Sequence, residues 1–98
     1  MDLNLTGKRV LVCGSTQGIG RAVAIELALS GANVTLIARN EDSLKKTKTE
    51  LSNSQNQQHD YICADYTKPS ELEEKIKQYA GKNTINILVN NTGGPPGG

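Results

Sequence analysis

Apolar and polar positions alternate along the chain in blocks. Short, continuous apolar runs occur at Arg9-Val10-Leu11-Val12-Cys13, Asn33-Val34-Thr35-Leu36-Ile37-Ala38, Tyr61-Ile62-Cys63-Ala64 and Ile85-Asn86-Ile87-Leu88-Val89. Each is bounded by Gly, Asn, Asp or Lys, and each reads as a strand buried on both faces. Three helical stretches separate them. The first, about residues 19–30, carries Ile19, Val23 and Leu27 at four-residue spacing and ends at Gly31, a favoured left-handed cap. The second, about residues 41–52, follows the capping residue Asn40, with only Leu44 and Leu51 as its apolar stripe, so a surface helix is expected. The third starts at Pro69, carries Leu72, Ile76 and Tyr79-Ala80, and stops at Gly81. The polar run Asn53-Ser54-Gln55-Asn56-Gln57-Gln58 predicts a solvated loop.

The resulting order, βαβαβαβ, implies an α/β fold. A parallel, Rossmann-type sheet with right-handed crossovers and strand order 3-2-1-4 is expected, the N-terminal half of a doubly wound domain. At 98 residues the chain is read as one domain, 1–98, apparently cut after the fourth strand. That strand would then lack a neighbour, and its free edge would favour association.

Composition narrows the function classes. With 36% hydrophobic residues and a formal net charge of +1, nothing in the balance calls for nucleic acid or an acidic membrane. No run is long and apolar enough to span a bilayer, and Met1-Asp2-Leu3-Asn4-Leu5 lacks the pattern of a secretory signal. A cytoplasmic location is therefore expected. Cys13 and Cys63, each within an apolar run, read as reduced buried thiols, and the single histidine, His59, argues against a metal site.

The chemistry concentrates in Gly14-Ser15-Thr16-Gln17-Gly18-Ile19-Gly20, between the first strand and the first helix. Gly14 permits a sharp turn, Gly18 close approach of a diphosphate, and Gly20 close packing of helix on sheet. The helix N-terminus offers free N–H groups and the positive end of its dipole, and Ser15 and Thr16 add hydroxyls. The G-x-x-x-G-x-G spacing is not the G-x-G-x-x-G fingerprint, and no Gly-Lys-Ser/Thr follows to make a Walker loop. A plain structural turn would use the same glycines.

This segment resembles the first turn of the short-chain dehydrogenase/reductase family, T-G-x-x-x-G-I-G, except at Cys13. Thr6-Gly7-Lys8-Arg9-Val10 resembles the family's approach to its first strand, and Asn90-Asn91-Thr92-Gly93 its N-N-A-G segment. Thr92, with Gly94-Pro95-Pro96-Gly97-Gly98 beyond, is similar to an N-N-T-G-G-P subgroup described as 3-oxoacyl-carrier-protein-reductase-like. The resemblance implies a carbonyl/secondary-alcohol oxidoreductase with a small-molecule substrate, a homo-oligomer at full length. It places the Asp65 carboxylate on the adenine amine and the Tyr66 backbone beside the ring, although Asp65 also suits a turn before Pro69. One of Asn90 and Asn91 would tie strands together. The other, taken as Asn91, would line the ribose and nicotinamide end with Thr92 and Gly93. The family's catalytic Ser and Tyr-x-x-x-Lys have no counterpart here, since none of Tyr61, Tyr66 and Tyr79 has Lys four positions on. No catalytic residue is assigned, and the 98-residue chain alone is expected to be inactive.

Cofactor choice turns on Leu36-Ile37-Ala38-Arg39-Asn40. NAD-preferring sites place an acid here to accept bonds from the ribose hydroxyls. Ala38 occupies that position and Arg39 follows, 25 residues after Gly14. A guanidinium favours a 2′-phosphate, so NADP(H) is the expected ligand, against the plainer possibility of a solvated strand-end arginine. The alternative function is a non-catalytic nucleotide-binding or regulatory module.

Overall fold

A computed structural model describes residues 4–65 and 67–90. The elements run β1 (Arg9–Cys13), α1 (Gly18–Leu29), β2 (Asn33–Ala38), α2 (Glu41–Thr49), β3 (Asp60–Cys63), α3 (Pro69–Ala80) and β4 (Ile87–Asn90). All pairings are parallel and the sheet order is β3-β2-β1-β4, as expected from the alternation of elements.

The pleat of β1 and β2 divides the core in two. Val10, Val12, Val34, Leu36 and Ala38 face α1 and α2, where Ala24, Ala28, Leu44 and Leu51 complete one cluster. Leu11, Cys13 and Ile37 face the other way, toward Leu72, Ile76 and Tyr79 of α3. Val10, Leu11, Val12, Val34, Leu36, Ile37 and Leu44 are fully buried, and each such side chain contributes about 1.5–3 kcal/mol. Thr35, on the α3 face, is also buried. Its hydroxyl accepts from the Arg9 guanidinium at 2.7 Å and lies 2.8 Å from the Tyr79 hydroxyl. Asn86 clasps β1 just before β4: Arg9 N–H donates to its Oδ1 and Asn86 N–H to Arg9 O, both at 2.9 Å.

Three expectations change. The buried stripe of α1 is Gly20-Ala24-Ala28, one position beyond Ile19-Val23-Leu27. Small residues let the helix axis approach the sheet, so they take the inner face; Val23 and Leu27 are half-buried and Ile19 is 74% exposed. Helix α2 stops at Thr49, and Leu51 is buried from the segment after it. Cys63 is only partly buried, because β3 is an edge strand.

The polar loop is solvent-exposed as expected at residues 53–56 and 58, with Gln57 half-buried. The Gln57 amide donates to Ala28 O and Ala32 O at 2.7 and 2.6 Å, and Gln55 Oε1 accepts from the Thr6 hydroxyl at 2.8 Å. His59 follows it, with Nδ1 accepting from Val34 N–H at 3.0 Å and Nε2 donating to Ser52 O at 2.7 Å. Side chains of this exposed segment and of His59 thus tie α1, β2 and the end of α2 together.

The end of α1 is as expected. Gly31 has φ +95°, and Gly31 N–H and Ala32 N–H donate to Ala28 O and Leu27 O, closing the helix with a left-handed turn.

Candidate nucleotide site at the C-terminal rim of the sheet

Parallel strands send all their C-terminal ends to one rim, and ligands of open α/β sheets bind at that rim. Register brings the relevant residues together there. Cys13 pairs with Ile37 and with Asn90, and Ala38 pairs with Cys63. Gly14, Arg39 and the Ala64-Asp65 segment therefore leave neighbouring strands side by side.

The glycine turn is held from below. Gly14 has φ +67° and donates its N–H to Ile37 O at 2.9 Å. Ser15 is completely buried; its hydroxyl accepts from Ile37 N–H at 3.1 Å and contacts Ile37 O at 3.4 Å. That hydroxyl is thus turned onto β2, where it extends the β1–β2 ladder past Cys13. Thr16 is half-buried and Gln17 exposed. Gly18 has φ +56°, and a Cβ built there would meet nothing within 4 Å, so the backbone faces open space. Ile19 is exposed at the same place, whereas Gly20 is buried against the sheet.

The two helices next to this rim begin differently. Asn40 caps α2, its Oδ1 accepting from Ser43 N–H at 3.0 Å, and Glu41 and Asp42 occupy its first turn. Gln17 at the head of α1 makes no side-chain cap, and α1 has no acid in its first turn. The first N–H groups of a helix need acceptors from outside it. An anionic ligand at α1 would meet those donors and the positive end of the dipole without competition from an acid.

Arg39 and Asp65 stand at the ends of β2 and β3. Asp65 Oδ1 accepts from Thr67 N–H at 2.9 Å and from the Thr67 hydroxyl. Those bonds, foremost the hydroxyl's, hold its carboxyl below the ordinary range against the opposing effect of burial, with weaker attraction from Arg39 and Lys68. The Cys63 thiol donates to Arg39 O at 3.3 Å, fixing one strand end against the other. Burial raises the Cys13 thiol above its usual value, which keeps it protonated and unreactive beneath the turn.

A cavity of about 230 Å³ opens beside the turn, between α1 and α2, lined by Thr16, Arg21, Ser43, Lys46, Thr47 and Glu50. Arg21 is paired with Glu50 at 2.8 Å. Of this lining, only Thr16 is among the site residues expected from the sequence. Arg21 follows Gly20 directly and Lys46 lies one turn beyond Asp42, but their convergence depends on how α1 and α2 pack. A larger, shallower cavity of about 790 Å³, with Lys45, Lys48 and Tyr61 in its wall, adjoins the start of β3, away from the glycine turn. Tyr66, Asn91, Thr92 and Gly93 lie outside the described residues; Asn90 is placed at the rim by its pairing with Cys13. Among the described residues, no three His, Cys, Asp or Glu side chains gather as metal ligands, and no helix is long and apolar enough to cross a membrane.

Comparison with known proteins agrees with this geometry. The chain is 40% identical over 87 residues to hydroxysteroid dehydrogenase-like protein 1 of Gallus gallus, a match covering 89% of this chain and 26% of that protein. It is 36% identical to a very-long-chain 3-oxoacyl-CoA reductase of Bos taurus, covering 89% of this chain and 28% of that one. The chain thus spans little more than a quarter of the length of these relatives. Among solved structures, L-sorbose reductase from Gluconobacter frateurii, complexed with NADPH and L-sorbose, aligns with a TM-score of 0.82 at 29% identity, over 96% of this chain and 36% of that one. The family model for short chain dehydrogenase matches residues 8–98, and the chain belongs to that family of oxidoreductases.

Proposed function

We propose that this chain forms the NADP(H)-binding part of an oxidoreductase that interconverts a carbonyl and a secondary alcohol. The observation that carries the reading is the rim itself: an unobstructed glycine backbone at Gly18, on an uncapped helix start, with Arg39 and Asp65 on the adjoining strand ends. These residues fit a dinucleotide. Gly14, Gly18, Ile19 and Gly20, with Thr16 and Gln17, would hold the diphosphate, and Ser15 would hold the turn. Asp65 and Tyr66 would take the adenine, and Asn91, Thr92 and Gly93 the nicotinamide end. When bound, the cofactor supplies the hydride.

Arg39 supports NADP(H) over NAD(H), because a guanidinium binds a 2′-phosphate and no acid stands at Ala38 to contact the ribose hydroxyls. Lys46 and Thr16 in the adjoining cavity add to the phosphate-binding character of that side. Reduction of a 3-oxoacyl thioester is the substrate class we favour, supported by the likeness to the bovine 3-oxoacyl-CoA reductase and by the Asn90-Asn91-Thr92-Gly93-Gly94-Pro95 run. The chain contains no Tyr-x-x-x-Lys pair, so we expect binding without turnover from these 98 residues alone.

A second reading, a nucleotide-binding protein that does not catalyse, is favoured by the human relative, described as an inactive hydroxysteroid dehydrogenase-like protein 1 and 37% identical over 87 residues. Titration of the intact protein with NADPH and NADH tests the cofactor. NADPH should bind tighter, and Arg39→Ala should weaken NADPH by about tenfold to a hundredfold, the worth of a charged hydrogen bond, while leaving NADH nearly unchanged. Preference for NADH would overturn the Arg39 argument. NADPH oxidation with a 3-oxoacyl thioester then separates the enzyme from the silent binder.

A further inference from the structure

Among the described residues β3 and β4 are the outer strands of the sheet, and the β3 edge is occupied by the chain's own side chains. In a parallel pair, alternate residues of a strand turn their N–H and C=O toward the neighbour, and the residues between them turn away. Ala64 N–H donates to Ala38 O. Ile62 therefore shares the inward set, and Tyr61, Cys63 and Asp65 form the outward set. Three of the outward groups are bonded, each to a different side chain. Tyr61 N–H donates to the Asp60 carboxylate at 2.9 Å, Lys75 Nζ donates to Cys63 O at 2.7 Å, and Asp65 N–H donates to Glu71 Oε2 at 3.1 Å.

These are three of the donors and acceptors that an added strand would need. We propose that Asp60, Glu71 and Lys75 form a guard that closes the β3 edge against strand addition by a second copy of this chain. The segment is otherwise a template: Tyr61-Ile62-Cys63 is apolar, and an edge strand presents a row of N–H and C=O groups that can pair with another chain. All three bonds involve a charged side chain and so are stronger than the neutral bonds an incoming strand would offer in exchange. A strand laid over them would also strip water from those charges. Glu71 and Lys75 are one turn apart on α3, so docking of a single helix sets two of the three caps at once.

The test is self-association of the intact protein by sedimentation velocity over a range of concentrations. The variant Asp60→Ala/Glu71→Ala/Lys75→Ala should show a concentration-dependent larger species absent from the parent, with slower amide exchange at Tyr61 and Asp65 in that species. Adding Tyr61→Pro should abolish it, since proline removes an outward N–H and is tolerated on an edge strand. An unchanged sedimentation coefficient in the triple variant overturns the proposal, as does association that survives Tyr61→Pro. If the triple variant does not unfold cooperatively, Lys75→Ala alone decides by the same readout, and Lys75→Arg should behave as the parent.

Discussion

The Ser15 hydroxyl accepts the Ile37 N–H at 3.1 Å, inside a site where both residues are fully buried. One side chain thereby continues the β1–β2 ladder beyond the last residue of β1 and sets where the glycine turn begins. Ser15→Ala should leave the Ile37 N–H buried without an acceptor, at a cost of about 1–3 kcal/mol. Denaturant unfolding is expected to show a lower midpoint with an unchanged slope. Loss of nucleotide affinity with unaltered stability would instead mean that the hydroxyl serves the ligand.

Gly18 and Gly31 both have positive φ but differ in what surrounds them. Gly18→Ala meets nothing within 4 Å and incurs only the conformational cost, about 1–2 kcal/mol. Its methyl group would project into the space assigned to the diphosphate, so NADPH binding should fall further than stability does. Gly31→Ala brings a Cβ to 2.8 Å from the Thr6 hydroxyl and 3.3 Å from Thr6 N. Overpacking of that kind adds about 1–3 kcal/mol to the same strain. Thermal melts and nucleotide titrations on the two variants should therefore rank them in opposite orders.

Gln57 carries an expectation that its position in a polar loop would not suggest. Gln57→Ala leaves Ala32 O, on a fully buried residue, without its Gln57 donor, and leaves Ala28 O with the Gly31 N–H alone. A loss of about 1–3 kcal/mol is expected. Substitutions at Ser54 or Asn56, which are exposed, should stay within about 0.5 kcal/mol by the same denaturation assay.

Asp65 sets a pH dependence with a definite sign. Its carboxyl is held below the ordinary value by the Thr67 hydroxyl and N–H, with help from Arg39 and Lys68. A depressed acid binds fewer protons folded than unfolded, so its stabilising effect is complete above the usual carboxylate range. It is lost as pH falls through the lowered folded value. Thr67→Val removes the largest cause. Carboxyl titration by NMR should then move Asp65 upward toward the ordinary value, and part of the acid sensitivity of unfolding should disappear.

The strands were legible because two-sided burial leaves continuous apolar runs, and Val10-Leu11-Val12 and Leu36-Ile37-Ala38 have no polar alternation to mislead. Strand order followed from chain order, since right-handed crossovers leave few arrangements. The inner face of α1 departs from the apolar periodicity because hydrophobicity favours Ile19, Val23 and Leu27, whereas packing distance favours Gly20, Ala24 and Ala28. The glycine turn was visible, but the use of Ser15 was not: a hydroxyl turned inward and one turned outward have the same letter. Gln57, Arg21 and Lys75 act on residues far away in sequence, and a local pattern holds no trace of such partners.

The clasp between Arg9 and Asn86 has a consequence for the growing chain. Once the segment through Ala38 has left the ribosome, β1 can pair with β2 on one side, but its other flank stays bare until the fourth strand is made, nearly fifty residues later. At cellular elongation speeds of about 5–20 residues per second, that interval lasts on the order of 2–10 seconds. The middle strand of the finished sheet is thus a temporary border during synthesis, and the newborn polypeptide has to keep that slot vacant for a partner not yet translated.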